Sequence, residues 1–167
     1  TLSCNLEVKD VILLDPAGDS ITTYDVENGY YEFSGAKPPV YVKVEPATAS
    51  AVNVGDEVNL SVTINEMQSA LKLSNVTFKL NYNTTLLSAK KEWITAGGTY
   101  AYFNATVGAG YVKVEVQMVT GTPFPQGRAT LANIKFNATY VPPTLTSSPL
   151  HLSDVVLKDI DGNVVEY

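Results

Sequence analysis

The chain has 167 residues, a formal net charge of −6 and a hydrophobic fraction of 45%, a composition typical of a globular protein rather than a disordered one. Arg128 is the only arginine and the lysines do not cluster, which excludes a nucleic-acid-binding protein. One histidine and one cysteine cannot form a zinc site, and no apolar run is long enough to predict a membrane span.

The first part of the chain predicts a β-structured arm. Short runs of β-branched and aromatic residues, separated by turn residues, indicate strands near 6–14, 20–24 and 29–33. The sequence SGAKPP at 34–39 then combines flexible residues with a stiff Pro-Pro pair, as interdomain linkers do. We therefore predict an N-terminal arm over 1–36 and a body over 37–167.

The body is predicted to be all-β. Alternation of apolar and polar residues recurs at short intervals between turns rich in Gly, Pro, Asn and Asp. Glu66–Leu73 is too short and weakly patterned to predict more than a turn. Many short strands at this spacing predict a β-sandwich or jelly roll. The strands are expected near 40–45, 58–64, 75–82, 100–107, 110–119, 130–140, 150–158 and 163–167.

Five Asn-X-Ser/Thr sequons suggest a secreted glycoprotein. Alternation places the asparagine of three sequons on the wet face of a strand, where a glycan would not disturb the core. Outward polar strand residues that carry no glycan would give the same pattern. The candidate glycosylation sites are Asn59, Asn75, Asn83, Asn104 and Asn137.

The arm repeats the end of the body. Residues 6–15 match residues 150–159 at a constant offset of 144, and Gly18 and Gly162 extend the match. Convergence of two β-hairpins is the alternative explanation. The arm then continues into the strand near 29–33, which has no counterpart after Tyr167. We therefore expect the arm to hold a strand that the body lacks.

Enzymatic and ligand-binding chemistry is weakly represented. His151 is expected on an exposed strand face, and no Gly-x-Ser-x-Gly motif indicates a hydrolase, so the chain is predicted not to be an enzyme and to need no cofactor. Asp159 and Asp161 could ligate calcium, but Asp-Gly between strands favours a hairpin turn. A sugar-stacking platform or ordinary core packing could explain the aromatic group Trp93, Tyr100, Tyr102 and Phe103.

Four segments of the body, taken in order, resemble the cohesin-type domains of bacterial scaffolding proteins and secreted archaeal proteins. They are residues 44–62, the segment VTFKLNYNTTL at 76–86, the segment GRATLANIKF at 127–136, and residues 150–163. The resemblance implies a jelly-roll sandwich of about nine strands that binds proteins and has no active site. Cellulosomal cohesins capture dockerins on one sheet face, but no dockerin-contact motif is recognisable here.

These observations predict an extracellular or cell-surface structural protein that assembles head to tail into a pilus-like fibre. The arm of one copy would complete the sandwich of the next by donor-strand complementation, so the partners would be other copies of the chain and N-linked glycans. The alternatives are a monomeric, dockerin-type binding module and one period of a tandem surface array. The sequon-dense, Tyr/Val/Thr-rich style resembles archaeal surface proteins. The predicted intersubunit residues are Val8, Val11, Leu13, Tyr30 and Phe33.

Overall fold

The computed structural model describes residues 2–6, 29–33, 40–142 and 149–166. The chain divides into two compact units, Thr1–Pro38 and Pro39–Tyr167. Most of the strand predicted near 6–14, and all of the one near 20–24, lie outside the described residues.

The first unit contains a two-stranded antiparallel sheet. Strand β1 (Leu2–Leu6) pairs with β2 (Gly29–Phe33), and the backbone register places Cys4 opposite Tyr31 and Leu2 opposite Phe33. Strand β2 occupies the range that the sequence predicts. A sheet of only two strands is at best marginally stable in water.

The second unit is an antiparallel β-sandwich of nine strands, which confirms the predicted all-β, jelly-roll-like class. One sheet runs β3-β4-β10, and β6 and β7 both pair with β10; the other runs β11-β5-β9-β8. Two short 3₁₀ segments, Ser69–Leu71 and Lys91–Trp93, complete the elements. The strands are β3 (Tyr41–Glu45), β4 (Glu57–Met67), β5 (Leu73–Asn81), β6 (Leu87–Ser88), β7 (Ile94–Ala96), β8 (Tyr102–Gly108), β9 (Tyr111–Gln117), β10 (Gly127–Ala138) and β11 (His151–Asp159).

The core forms because each long strand alternates in residue type. In β5 the residues Val76, Phe78 and Leu80 are fully buried, and the polar residues between them are partly exposed. Strands β4, β9 and β10 contribute further fully buried residues, so the core lies between the two sheets. Breaks in register in β10, where one strand gains a residue over its neighbour, let both Leu131 and Ala132 be buried.

Two details differ from the sequence-based expectation, and a third agrees with it. Strands β6 and β7 were not predicted, because two or three residues are too few to show alternation. The strand expected near 163–167 is reduced, in the part described, to a single bridge between Val164 and Lys158. As predicted, the stretch Glu66–Leu73 holds no more than one turn, a 3₁₀ turn that ends at Lys72 in the left-handed region with φ 45°.

Candidate functional site

The edge strands of the two sheets leave an open seam along one side of the sandwich. Among the described residues, β3 pairs only with β4, and β11 pairs along its length only with β5. Inward-facing residues of central strands, such as Val62 and Phe78, are 0% exposed. The corresponding residues of the edge strands, Val44 of β3 and Leu152 of β11, remain partly exposed. The core is therefore closed in the middle of the sandwich and accessible at this seam.

A groove of about 730 Å³ reaches from Val44 at the seam across β4 and β10 to β6. Its walls come from inward residues of β3, β4 and β10, the short strand β6, the loop after β3, and residues 140–142 and 149–150 between β10 and β11. The lining is mostly apolar, so the groove suits the side chains of an extended segment better than a polar ligand. Its apolar lining residues include Val44, Ala47, Ala51, Val58, Leu60, Leu87, Tyr140, Val141, Pro142 and Leu150.

The opposite face of β3 is charged. The Lys43 ammonium lies 2.6 Å from a Glu45 carboxylate oxygen, and Arg128 of β10 binds the other oxygen of the same group. The hydrogen bond from Lys43, supported by the Arg128 charge, holds the pKa of Glu45 below its ordinary value. Charged residues on an edge strand discourage indiscriminate pairing with other sheets. The edge thus presents a polar outer face and an apolar inner face.

The predicted intersubunit residues fall in two groups. Val8, Val11 and Leu13 lie outside the described residues. Tyr30 and Phe33 belong to β2, whose backbone pairs with β1 in the first unit.

Two of the sequon asparagines share the outer face of the four-stranded sheet. Asn75 of β5 and Asn104 of β8 are both partly exposed, and both lie beside the central strand β9. Asn75 lies opposite Gln117 of β9, and Asn104 lies opposite Glu115 of β9. The two asparagines are therefore offset along the strands by two residues. Strand geometry places their backbones roughly 12 Å apart.

The other three sequons lie elsewhere. Asn59 is exposed on the outer face of the five-stranded sheet, and Asn83 is exposed in the turn after β5. The Asn83 Oδ1 accepts a hydrogen bond from the backbone N–H of Thr85, 2.9 Å away. Asn137 is half-buried in β10, and its Oδ1 has no hydrogen-bond partner in the described part of the chain. The side-chain oxygen of Asn137 is thus shielded from solvent.

The four aromatic residues do not form one platform. Tyr100 donates a hydrogen bond to the Thr130 carbonyl and meets Phe124 edge to face. Phe103 packs against the core, and Tyr102 is exposed on the four-stranded sheet. Trp93 instead lines a groove with outward residues of β4 and β10 on the other sheet. Of the two alternatives that the sequence left open, a single platform of all four residues is not formed, because the chain crosses between sheets after β7.

The Asp159 side chain serves its own turn. Its carboxylate accepts hydrogen bonds from the backbone N–H groups of Asp161 and Asn163 and from the Asn163 side chain. The Asn163 side-chain hydrogen bond, with the backbone ones, lowers the pKa of Asp159. Within the ranges that the structure covers, no cluster of three acidic, histidine or cysteine residues could hold a metal ion. His151 is exposed at the start of β11.

Sequence reasoning missed the residues that line the seam. The loop over 46–51 and the Leu86-Leu87 pair carry no chemical motif, and their role depends on which strands become sheet edges. The one available signal was the run of small residues in Ala47-Thr48-Ala49-Ser50-Ala51, which lies between two strands without a polar cluster.

Comparison with known proteins identifies the family. The family profile described as "Cohesin domain" matches residues 42–165, which is nearly the whole second unit. The chain belongs to the cohesin domain family. Cohesin domains are structural and binding modules, typically extracellular or on the cell surface. No curated protein sequence matches the chain significantly.

Solved cohesin structures share the fold at low sequence identity. A non-cellulosomal cohesin from the archaeon Archaeoglobus fulgidus is 23% identical, covers 68% of this chain and 75% of its own, and has a TM-score of 0.54. The cohesin module of a Clostridium perfringens family 33 glycoside hydrolase is 17% identical over 75% of this chain and 85% of its own, with a TM-score of 0.57. A type I cohesin–dockerin complex from Clostridium thermocellum reaches a TM-score of 0.63 at 14% identity, over 81% and 91% of the two chains.

None of the helices in the described ranges has the length and apolar character needed to cross a bilayer.

Proposed function

We propose that this cohesin-family chain is a subunit of an extracellular fibre, in which the arm of one copy is donated as a strand to the seam of the next. The observation that carries the proposal is the seam itself, where β3 pairs on one edge only within the described part of the chain, and its Val44 lines a mostly apolar groove of about 730 Å³. An extended segment that adds to a sheet edge gains main-chain hydrogen bonds and places alternate side chains in the pockets below.

The arm strand β2 matches this edge in length and in pattern. Both β2 and β3 have five residues. Alternation in the sequence Gly-Tyr-Tyr-Glu-Phe puts Tyr31 and Phe33 on one face of an extended strand and the acidic Glu32 on the other. An inserted strand would therefore turn Tyr31 and Phe33 toward the groove. Phe33 keeps its proposed role, and Tyr31 takes the inward position in place of Tyr30.

The energetics favour a long donor segment. Burying one Phe or Tyr side chain contributes about 1.5–3 kcal/mol, whereas association costs several kcal/mol in lost freedom. Two aromatic side chains alone would give weak binding. Val8, Val11 and Leu13, which precede β2 in the arm, are proposed to supply further apolar contacts along the seam.

The proposed head-to-tail contact predicts how two variants, one lacking the donor surface and one lacking the acceptor surface, behave when they are mixed. The double variant Tyr31→Asp/Phe33→Asp cannot donate but can still accept, and Val44→Arg blocks the groove but can still donate. Each variant alone is expected to be monomeric by size-exclusion chromatography with light scattering, since a head-to-tail contact needs both surfaces. An equimolar mixture is expected to form a dimer and nothing larger, while the unmodified chain forms polymers visible by negative-stain microscopy.

Three results would contradict strand donation between copies. The unmodified chain could stay monomeric at all concentrations, the mixed variants could fail to dimerise, or polymers could persist in the Tyr31→Asp/Phe33→Asp variant. A matched control, Val119→Arg, places the same charge at an exposed site of the same unit away from the seam and is expected to leave polymers intact.

A dockerin-type binding module is the second candidate, and one specific feature favours it. The outer face of the four-stranded sheet is regular and mixes charges with exposed tyrosine: Lys79 bridges Asp154 at 2.7 Å, and Tyr102 is 45% exposed. Solved cohesins occur in complexes with dockerins. A chain that remains monomeric with and without residues 1–36 would support this candidate. A single period of a tandem surface array would behave in the same way in solution.

A further inference from the structure

A second groove lies on the outer face of the five-stranded sheet and shares Pro46 and Leu60 with the seam groove. It measures about 480 Å³, within the roughly 300–1,000 Å³ range of small-molecule sites. Outward residues of β4 and β10 form its floor, and the 3₁₀ segment Lys91–Trp93 forms one wall. Trp93 is the only tryptophan in the chain.

The chemistry of this groove is that of a saccharide site. Its floor supplies amide, hydroxyl and ammonium groups from Asn133, Ser61 and Lys135, and Glu92 adds a carboxylate at the rim. Such a mixture of donors and acceptors matches sugar hydroxyls, which both donate and accept. The Trp93 indole adds an apolar, polarisable wall suited to the C–H face of a sugar ring. The Ser61 hydroxyl already donates to Asn133 Oδ1 at 2.7 Å, which fixes the floor.

The Trp93 ring is held in place by two lysines. The Lys90 and Lys135 ammonium groups lie 4.9 Å and 5.2 Å from its centroid. Lys135 also forms an ion pair with Glu57 at 2.7 Å. The Lys135 ammonium therefore keeps this partner when a sugar displaces it from the Trp93 ring. The two contacts therefore orient the indole before any ligand arrives, and a sugar that stacks on the ring displaces a lysine from it.

The sequon asparagine Asn59 lies in the same groove. Asn59 is directly opposite Lys135 across the β4–β10 pair, and cross-strand partners have Cβ atoms about 5 Å apart. The Lys135 ammonium contacts the Trp93 ring. The first sugar of a glycan attached to Asn59 would therefore lie beside the indole.

We propose that this groove holds a short saccharide stacked on Trp93, and that the glycan attached to Asn59 of the same chain is the source. An oligosaccharide supplied from solution has the same chemistry and is the other possible source. The site shares Pro46 and Leu60 with the seam groove, whereas Trp93, Asn59 and Lys135 line this groove alone.

The experiment uses Trp93 fluorescence as a direct reporter of the groove. The chain is produced in a host that attaches N-glycans, and glycopeptide mass spectrometry measures the occupancy of Asn59. Compared with Asn59→Gln, the occupied protein is expected to show blue-shifted emission and about half the acrylamide quenching constant, because the sugar covers one side of the ring. The matched control Asn83→Gln removes an exposed sequon outside the groove and is expected to change neither quantity.

The second arm uses unglycosylated protein and distinguishes the two sources. Titration with di-N-acetylchitobiose and with common disaccharides is followed by the same fluorescence signal. Protection of Trp93 only in the glycosylated chain supports the Asn59-linked source, and protection by added sugar supports a site for external saccharide. Occupied Asn59 without protection of Trp93, or an unoccupied Asn59 together with no response to any sugar, would overturn the proposal.

Discussion

Val44 and Val62 face each other across β3 and β4, and both point into the sandwich. Val62 is fully buried, whereas Val44 is partly exposed at the seam. The same substitution, valine to alanine, therefore samples the closed core at one position and the open seam at the other. Strand donation predicts that both variants lose folding stability, by different amounts, and that only the Val44 variant also weakens assembly.

The magnitudes follow from the buried area. Val62→Ala removes two buried methyl groups and leaves a cavity, so it should lower the free energy of unfolding by about 2–3 kcal/mol. Val44→Ala should lower it by only about 1 kcal/mol, because part of its side chain is already in water. When a donated strand covers Val44, the rest of that side chain becomes buried. Val44→Ala should therefore also weaken assembly by about 1 kcal/mol, or roughly five-fold in dissociation constant.

Two assays separate these effects. Urea denaturation of the donation-deficient Tyr31→Asp/Phe33→Asp background measures the stability of the monomer without polymerisation. Sedimentation of the otherwise unmodified chain measures the concentration at which polymers appear. We expect Val44→Ala to raise that concentration roughly five-fold and Val62→Ala to leave it nearly unchanged. Equal shifts for both variants, or none for Val44→Ala, would refute a donated strand at the seam.

Two further predictions concern the fold of the second unit. The pKa of Asp159 is lowered in the folded protein, first by the Asn163 side chain, so its contribution to stability is present above the ordinary aspartate pKa of 3.8 and is lost as the pH falls through the lowered value. An NMR pH titration should give a midpoint below 3.8, and Asp159→Asn should make unfolding less dependent on pH in that acidic range. Gly97→Ala would force its Cβ into the Thr130 backbone carbonyl and should cost about 1–3 kcal/mol by urea denaturation. Gly98→Ala crowds only the Tyr100 side chain, at 3.2 Å, and should cost less than Gly97→Ala; equal losses at both positions would contradict this packing.

The sequence predicted most of the sandwich because alternation is a local property. Val76, Phe78 and Leu80 stand at every second position, so their common burial follows from strand geometry alone. The cohesin resemblance then supplied the class of fold. Strands β6 and β7 escaped detection because they are only two and three residues long.

The sites were harder to predict because they depend on strand order. The seam exists because β3 and β11 lie at sheet edges, and no residue pattern states which strand is last in a sheet. Trp93 was grouped with Tyr102 because they are near in sequence, although they belong to opposite outer faces. Its true neighbour, Asn59, is distant in sequence and is brought to it through the pairing of β4 with β10.

The positions of Asn75 and Asn104 on the same sheet face bear on the choice between a fibre subunit and a dockerin-type binding module. Two branched glycans attached to the strands on either side of β9 would cover the outer face of the four-stranded sheet. A flat protein could not then settle on that surface, whereas the seam lies along the edge of the sandwich and would stay open. Glycosylation of these two asparagines would thus leave the seam, and not the sheet face, as the surface on which another protein can bind.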